Sequence, residues 1–448
     1  MTRGQVSFAL ATDTAGSGRV PAAFNNLVGL KPSRGLLSAR GLVPACRSID
    51  CMTVIALTCE DARDVARVAC GFDVQDPFSR VEAKTFSWVA PKPAPGARLG
   101  IPRPADRVWC DDANERRFAD ACARLEAMGY ALEEVDMTPF FDVGNLLYDG
   151  PWVSERLAGL EAFVHDHPAS VLPVIRTILA GADRYRATDA FRAVHRLAEL
   201  KHKIAPLWES IAALVVPSVP VHPRIDEVLA DPIAANARLG KYTTFGNLLD
   251  MTGVAVPAGF RDDGLPSGVT LLGPWGRDAV LLALGAALHR SAKVTLGATG
   301  WPFPAAREAT DASLPDTHLA VAVVGAHLAG QPLNRELTGR GGWLWRSTRT
   351  APCYRLFALA DKVPPTRPGL LRVAQGRGAS IAVEVWALPK DMVGAFLAGV
   401  PSPLAIGTIE TQEGQRVHGF LCEPWALEGA RDITEYGGWI AFLASQAR

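Results

Sequence analysis

Two apolar patterns alternate along most of this chain, and that alternation restricts its fold more than any other feature. Short continuous apolar runs, such as Ala213-Leu214-Val215-Val216-Pro217-Ser218 and residues 254–257, read as strands buried on both faces. Between them lie segments whose apolar residues recur every three or four positions: 112–127, much of 151–210, and 279–289. A buried strand needs cover on both faces, and an amphipathic helix needs a surface to cover. Strands alternating with helices therefore predict a layered α/β domain. Residues 98–102, 131–135 and 267–272 supply further strands, residues 6–11 a buried one, and residues 244–251 a further helix. Thr58, with Asp61 three positions on, predicts the N-cap of a helix whose inward face is Ala62, Val65, Ala66 and Ala69.

The pattern changes after residue 300. Residues 301–317 are rich in Pro, Ala and Asp and read as an interdomain linker. Strand patterns at 318–324 and 379–386, with short helices between and after them, predict a smaller α+β domain over 318–448. Residues 1–300 are then the α/β domain.

Composition narrows the function classes. Lys plus Arg and Asp plus Glu are equal at 46 each, so no basic surplus points to nucleic acid and no acidic tail to a solvating role. No apolar stretch is long enough to span a bilayer, and Met1 to Leu10 contain no apolar signal-peptide core. The eight cysteines, Cys46, Cys51, Cys59, Cys70, Cys110, Cys122, Cys353 and Cys422, form no CxxC pair and do not alternate with histidine. They read as reduced, mostly buried thiols of a cytoplasmic protein without a metal site. A small molecule, neutral or singly charged, suits this balance.

The segment richest in chemistry is Ala11-Thr12-Asp13-Thr14-Ala15-Gly16-Ser17-Gly18-Arg19-Val20-Pro21. An apolar strand runs into small residues, and two glycines flank one hydroxyl. Glycine admits left-handed backbone and close approach of a substrate, and successive N–H groups in such a loop can converge on a developing oxyanion. Asp13 and Arg19 are placed to brace the loop. Taken alone, the string equally suits a structural turn.

The full string resembles the amidase-signature family, whose pattern runs Gly-Thr/Ser-Asp-x-x-Gly-Ser-x-Arg-x-Pro. Further landmarks of that family follow in order: Gly29-Leu30-Lys31-Pro32-Ser33-Arg34-Gly35, Ser48-Ile49-Asp50-Cys51, Val215-Val216-Pro217-Ser218-Val219-Pro220, Val256-Pro257-Ala258-Gly259 and Gly264-Leu265-Pro266-Ser267-Gly268-Val269. The resemblance spans roughly residues 4–300. It implies a layered α/β/α domain with a mixed central sheet. It also implies a serine nucleophile, here Ser17, with an oxyanion hole from the N–H groups of Thr14, Ala15, Gly16 and Ser17, and no cofactor. In the family a lysine base acts through a second serine, and both precede the nucleophile by more than the sixteen residues before Ser17 here. The chain is therefore expected to be N-terminally truncated, and an impaired remnant or small-molecule-binding protein is the alternative reading. Ser7 lies too close to serve as the second serine, and Lys31 belongs to the Gly-Leu-Lys-Pro landmark, where a structural role is expected.

Two segments narrow the substrate. In Leu147-Tyr148-Asp149-Gly150-Pro151-Trp152-Val153-Ser154-Glu155-Arg156, a tyrosine and an arginine stand eight apart. Arginine's fork suits a carboxylate and tyrosine can add a hydrogen bond, although a surface helix with an Arg–Glu pair would show the same spacing. The string resembles the substrate-carboxylate segment of allophanate hydrolases, which implies that Tyr148 and Arg156 hold a carboxylated amide. A general amidase is the alternative. The run Val323-Val324-Gly325-Ala326-His327-Leu328-Ala329-Gly330-Gln331-Pro332-Leu333-Asn334 resembles the start of the C-terminal domain of those enzymes, a relative of the γ-glutamylcyclotransferase-like fold. That domain is thought to help break down the N-carboxycarbamate released by the first. His327 is its candidate proton-handling residue, and Glu384 shares its pocket if its strand turns that way; both also suit structural roles. His222 and Asp250 carry no motif tying them to Ser17. The family's tendency to self-associate leaves a homo-oligomer open.

Overall fold

The computed structural model describes every residue except 91, 108, 109, 305–313, 315, 316, 361–365, 447 and 448. The chain divides into two compact units, Met1–Arg307 and Glu308–Arg448. Most of the expected linker, residues 305–313, 315 and 316, lies outside the described residues.

The first unit is built on one eight-stranded sheet: β1 (Phe8–Asp13), β2 (Val28–Lys31), β3 (Cys51–Ala56), β4 (Arg98–Pro102), β5 (Ala131–Val135), β6 (Ala213–Pro217), β7 (Thr252–Phe260) and β8 (Pro266–Gly273). Their order across the sheet is β1-β3-β2-β7-β8-β6-β4-β5. Neighbours are antiparallel from β1 to β6, and β6, β4 and β5 run parallel, so the sheet is mixed. All five residues of β6 are buried. Ala213 and Val215 enter one apolar core, while Leu214 and Val216 enter another. The first core holds Ala62 and Ala66 of α2 (Cys59–Ala69; α1 is Arg19–Phe24), Phe118 and Leu125 of α3 (Asp112–Ala127), and Leu281 and Leu288 of the helix Asp278–Ser291. The second holds Phe140, Val143 and Leu147 of α4 (Thr138–Tyr148) with Leu200 and Ile204. Helices thus cover both faces, the layered α/β/α arrangement.

Local signals explain several boundaries. Thr58 Oγ1 accepts the Asp61 N–H at 3.1 Å and caps α2 as expected. The Gly-Leu-Lys-Pro-Ser segment is a staple. Lys31 Nζ donates to the carbonyls of Met251 (2.6 Å) and Pro32 (3.3 Å). Ser33 donates from its N–H and hydroxyl to the buried Asp278 carboxylate, at 2.7 and 2.6 Å.

Two expectations need correction. The strand at the start of the chain exists, but it is an edge strand rather than a buried one: Phe8 and Leu10 are about half exposed, at 46% and 51%. The helix expected over 244–251 is only Phe245–Leu248, and Asp250 beyond it takes φ +57°.

The second unit holds a five-stranded sheet, ordered β10-β13-β9-β15-β14, and a three-stranded one, β12-β11-β16. The strands are β9 (His318–Val323), β10 (Trp343–Arg349), β11 (Tyr354–Ala358), β12 (Pro368–Arg372), β13 (Ala382–Pro389), β14 (Leu404–Glu410), β15 (Arg416–Cys422) and β16 (Arg431–Asp432). Its own core includes Val321, Val323, Leu356, Val385, Phe420 and Trp439. Among the described residues, no helix is long and apolar enough to cross a membrane.

Candidate active site

The small-residue loop leaves β1 and enters α1, and its shape follows from one buried ion pair. Arg19 Nε and Nη2 donate to the two carboxylate oxygens of Asp13, at 2.9 and 3.0 Å, with both side chains fully buried. The same carboxylate accepts the N–H groups of Gly16 (2.8 Å) and Gly18 (3.3 Å). Burial pushes the Asp13 carboxyl up, but Arg19 beside it, the charge of Lys31 and the Gly16 bond outweigh burial and hold it below the ordinary carboxylate range. The bracing expected of Asp13 and Arg19 is therefore present.

The two glycines are needed for space and conformation. Gly16 sits at φ +124°, and a Cβ there would lie 2.2 Å from Thr243 Oγ1; one on Gly18 would lie 2.2 Å from Thr53 Cγ2. Ser17 is exposed between them, and its hydroxyl donates to the Thr12 carbonyl at 2.8 Å. Of the four N–H groups expected to form an oxyanion hole, that of Gly16 is engaged by Asp13. Those of Thr14, Ala15 and Ser17 have no hydrogen-bond partner among the described residues.

Two distant side chains fasten the loop, and the sequence reading missed both. Thr243 Oγ1 donates to Ala15 O at 2.8 Å, and Asn247 Nδ2 donates to Asp13 O at 2.6 Å and Ile49 O at 3.0 Å. Both are buried, as is Thr244 between them, and buried polar groups are hydrogen-bonded; the only signal in the sequence was these polar residues beside the apolar Phe245, Leu248 and Leu249.

Tyr148 closes α4, and Arg156 lies on α5 (Trp152–Ala158). The charge of Arg156 acts on Tyr148. Burial pushes the Tyr148 hydroxyl up, while the charge of Arg156 and a hydrogen bond from Asn236 oppose this. Arg156 also acts on the Cys46 thiol, which burial pushes up to about 11. The Nε of Arg156 is buried and has no partner among the described residues. Glu155 fixes α5 against the segment before β3 by accepting the N–H and hydroxyl of Ser48, both at 2.7 Å. From there Asp50 accepts from Cys46 N (3.1 Å) and Thr14 Oγ1 (2.5 Å). Glu155 thus ties α5 to the segment around Ser48, and Asp50 of that segment holds Thr14 of the Ser17 loop. Asp250 pairs instead with Arg34 and Arg80, and His222 with Asn114 and Arg261; neither bonds Ser17.

The second unit has its own pocket of about 220 Å³, lined by His327, Glu336, Arg367, Phe396 and Phe420 among others. His327 stacks on Phe420 with centroids 5.1 Å apart and meets the Glu336 carboxylate through Nε2 at 3.1 Å. Glu384 is not part of the lining. Its Oε2 accepts the Ala329 N–H at 2.8 Å and Trp386 Nε1 at 3.0 Å, which ties down the loop that carries His327.

With its layered mixed sheet and its serine loop braced by a buried Asp–Arg pair, the chain belongs to the amidase family: residues 2–282 match the family model described as amidase. Residues 319–444 match the model described as the allophanate hydrolase C-terminal domain. The chain is 38% identical to urea amidolyase of Saccharomyces cerevisiae over 99% of its own length and 25% of that protein. It is 38% identical to urea amidolyase of Lachancea kluyveri as well, over 98% of this chain and 24% of the relative. It superposes on the allophanate hydrolase of Kluyveromyces lactis with a TM-score of 0.83 and 36% identity, covering 99% of this chain and 74% of that one. The chain spans about a quarter of the length of the urea amidolyases it matches.

Proposed function

We propose that this protein hydrolyses allophanate, urea-1-carboxylate, in urea degradation. The observation that carries the reading is the exposed Ser17 hydroxyl between two glycines, beside backbone N–H groups of Thr14, Ala15 and Ser17 that have no partner among the described residues, in a chain whose residues 319–444 match the allophanate hydrolase C-terminal domain. Tyr148 and Arg156 hold the substrate carboxylate. Ser17 Oγ attacks the amide carbonyl, and the oxyanion is met by the N–H groups of Thr14, Ala15 and Ser17, with Gly16 joining if its bond to Asp13 yields. Each such donor contributes about 3 kcal/mol toward lowering the barrier. Ammonia leaves, and water frees Ser17, giving a nitrogen that bears two carboxylates, N-carboxycarbamate.

The Ser17 proton needs an acceptor. The Thr12 carbonyl cannot take it, and Lys31 Nζ is committed to two backbone carbonyls. A general base contributes roughly 10²–10⁴-fold, so the base must reach Ser17 from outside the contacts described. In the second unit, protonation of the nitrogen of N-carboxycarbamate lets its C–N bond break with loss of carbon dioxide, and His327 handles that proton.

The test is ammonia release from allophanate by the purified 448-residue chain and by Ser17→Ala. Release by the wild type that disappears in the variant supports the reading. No release above background by the wild type supports a binding protein or impaired remnant instead.

A further inference from the structure

Resting on the role given above to the second unit, we propose that Glu336 is the positioning residue of His327. It accepts the Nε2 proton, fixes the ring as the Nε2–H tautomer, and makes Nδ1 the atom through which a proton passes to a small dicarboxylate in the pocket.

The argument starts from what each atom can do. A carboxylate is only an acceptor, so the 3.1 Å contact between Glu336 Oε2 and His327 Nε2 requires the proton on Nε2. Nδ1 then carries the lone pair, and it has no hydrogen-bond partner among the described residues, while the ring lines the pocket. The ring cannot easily turn away. Phe420 stacks on its face at 5.1 Å, Phe396 meets it edge-on at 5.5 Å, and Asn334 Nδ2 donates to the His327 carbonyl at 2.8 Å. Glu336 is held in its turn, because Arg340 Nη1 donates to the Glu336 carbonyl at 2.7 Å.

The charged groups around the imidazole act in opposite senses. Burial lowers its proton affinity, the hydrogen bond and charge of Glu336 raise it, and Arg340 lowers it; the net direction is below the ordinary histidine value. Arg367 places a cation in the lining and favours entry of an anion. The empty pocket therefore holds a neutral imidazole near pH 7. A bound dianion favours the imidazolium, so a proton is taken from solvent as the ligand enters. That proton sits on Nδ1 because Nε2–H stays with Glu336. It passes from Nδ1 to the ligand nitrogen, the C–N bond breaks with its electron pair remaining on nitrogen, and carbon dioxide leaves.

The test uses the full chain labelled with ¹⁵N-histidine, the His327 signals being assigned by their loss in His327→Gln. In the wild type, neutral His327 should carry its proton on Nε2. In Glu336→Leu, its pKa should fall by about one pH unit or more, a tenfold loss of proton affinity, and the Nδ1–H tautomer should appear. Glu336→Gln, which keeps an acceptor oxygen without the charge, should retain the tautomer yet lower the pKa. If both variants leave tautomer and pKa as in the wild type, the proposal is overturned. Ammonia release from allophanate by the wild type is measured alongside. Its absence from the wild type would count against the first-unit reading while the histidine spectra still decide the role of Glu336.

Discussion

Arg19→Met is the most informative single substitution in the first unit. It keeps the length of the stem and removes the charge that opposes Asp13. Four hydrogen bonds go with it, two to Asp13, one to Thr243 O (3.1 Å) and one to Asn247 Oδ1 (3.3 Å), all buried. Asp13 keeps the N–H groups of Gly16 and Gly18, so its charge is only partly compensated. Breaking one side of a buried pair costs about 3–5 kcal/mol. A unit the size of Met1–Arg307 has an unfolding entropy of roughly 0.6 kcal/mol/K, so its Tm should fall by about 5–8 °C at pH 7. The pH dependence has a definite sign. Asp13 is held below the ordinary carboxylate range in the wild type. Its contribution is complete above the unfolded value of about 3.9 and is lost as pH falls through the folded value. In the variant burial dominates, the carboxyl protonates at higher pH, and the buried charge is relieved. The gap between the two melting curves, followed by calorimetry or near-UV circular dichroism, should therefore narrow from pH 7 toward pH 4. A gap below about 1 °C at pH 7, or one that widens with acid, would refute the view that this pair organises the loop.

The proposed carboxylate anchor makes a separable prediction. Arg156→Lys keeps the charge but loses the fork, and should lower kcat/KM for allophanate by about 10–100-fold, the worth of one hydrogen bond to a charged group. Turnover of an uncharged amide should stay within about twofold, and equal losses on both would indicate a structural role. Gly16→Ala forces a side chain onto Thr243 at a φ that disfavours it, and Thr243 holds the Ala15 carbonyl. Ammonia release should fall at least about 100-fold as the oxyanion donors lose register, and wild-type activity in that variant would show the loop tolerates displacement.

The parts of this protein legible in its sequence are those whose physics is local. The three-layer arrangement follows from apolar runs such as 213–218, because burial on both faces leaves no polar position in the strand. The loop glycines, the Asp13–Arg19 brace and the Thr58 cap act within a few residues and can be read from spacing. What escaped is relational. Phe8 and Leu10 are apolar enough for a core, yet nothing in a six-residue strand says whether it lies inside a sheet or at its edge; the pairing of β1 with β3 alone decides that. Thr243 and Asn247 stand more than 220 residues from the loop they clamp, and only the fold brings them there. Gly16 shows the same difficulty within the loop. The family resemblance implies an oxyanion donor in its N–H, but the Asp13 carboxylate, pinned by Arg19, reaches it first. A nucleophile's position can thus be written in a short string, whereas the donors left to it and the route of its proton depend on which distant side chains satisfy the rest of the loop. The Ser17 hydroxyl resting on a carbonyl is one case of this, and the His327 ring set by Glu336 is another.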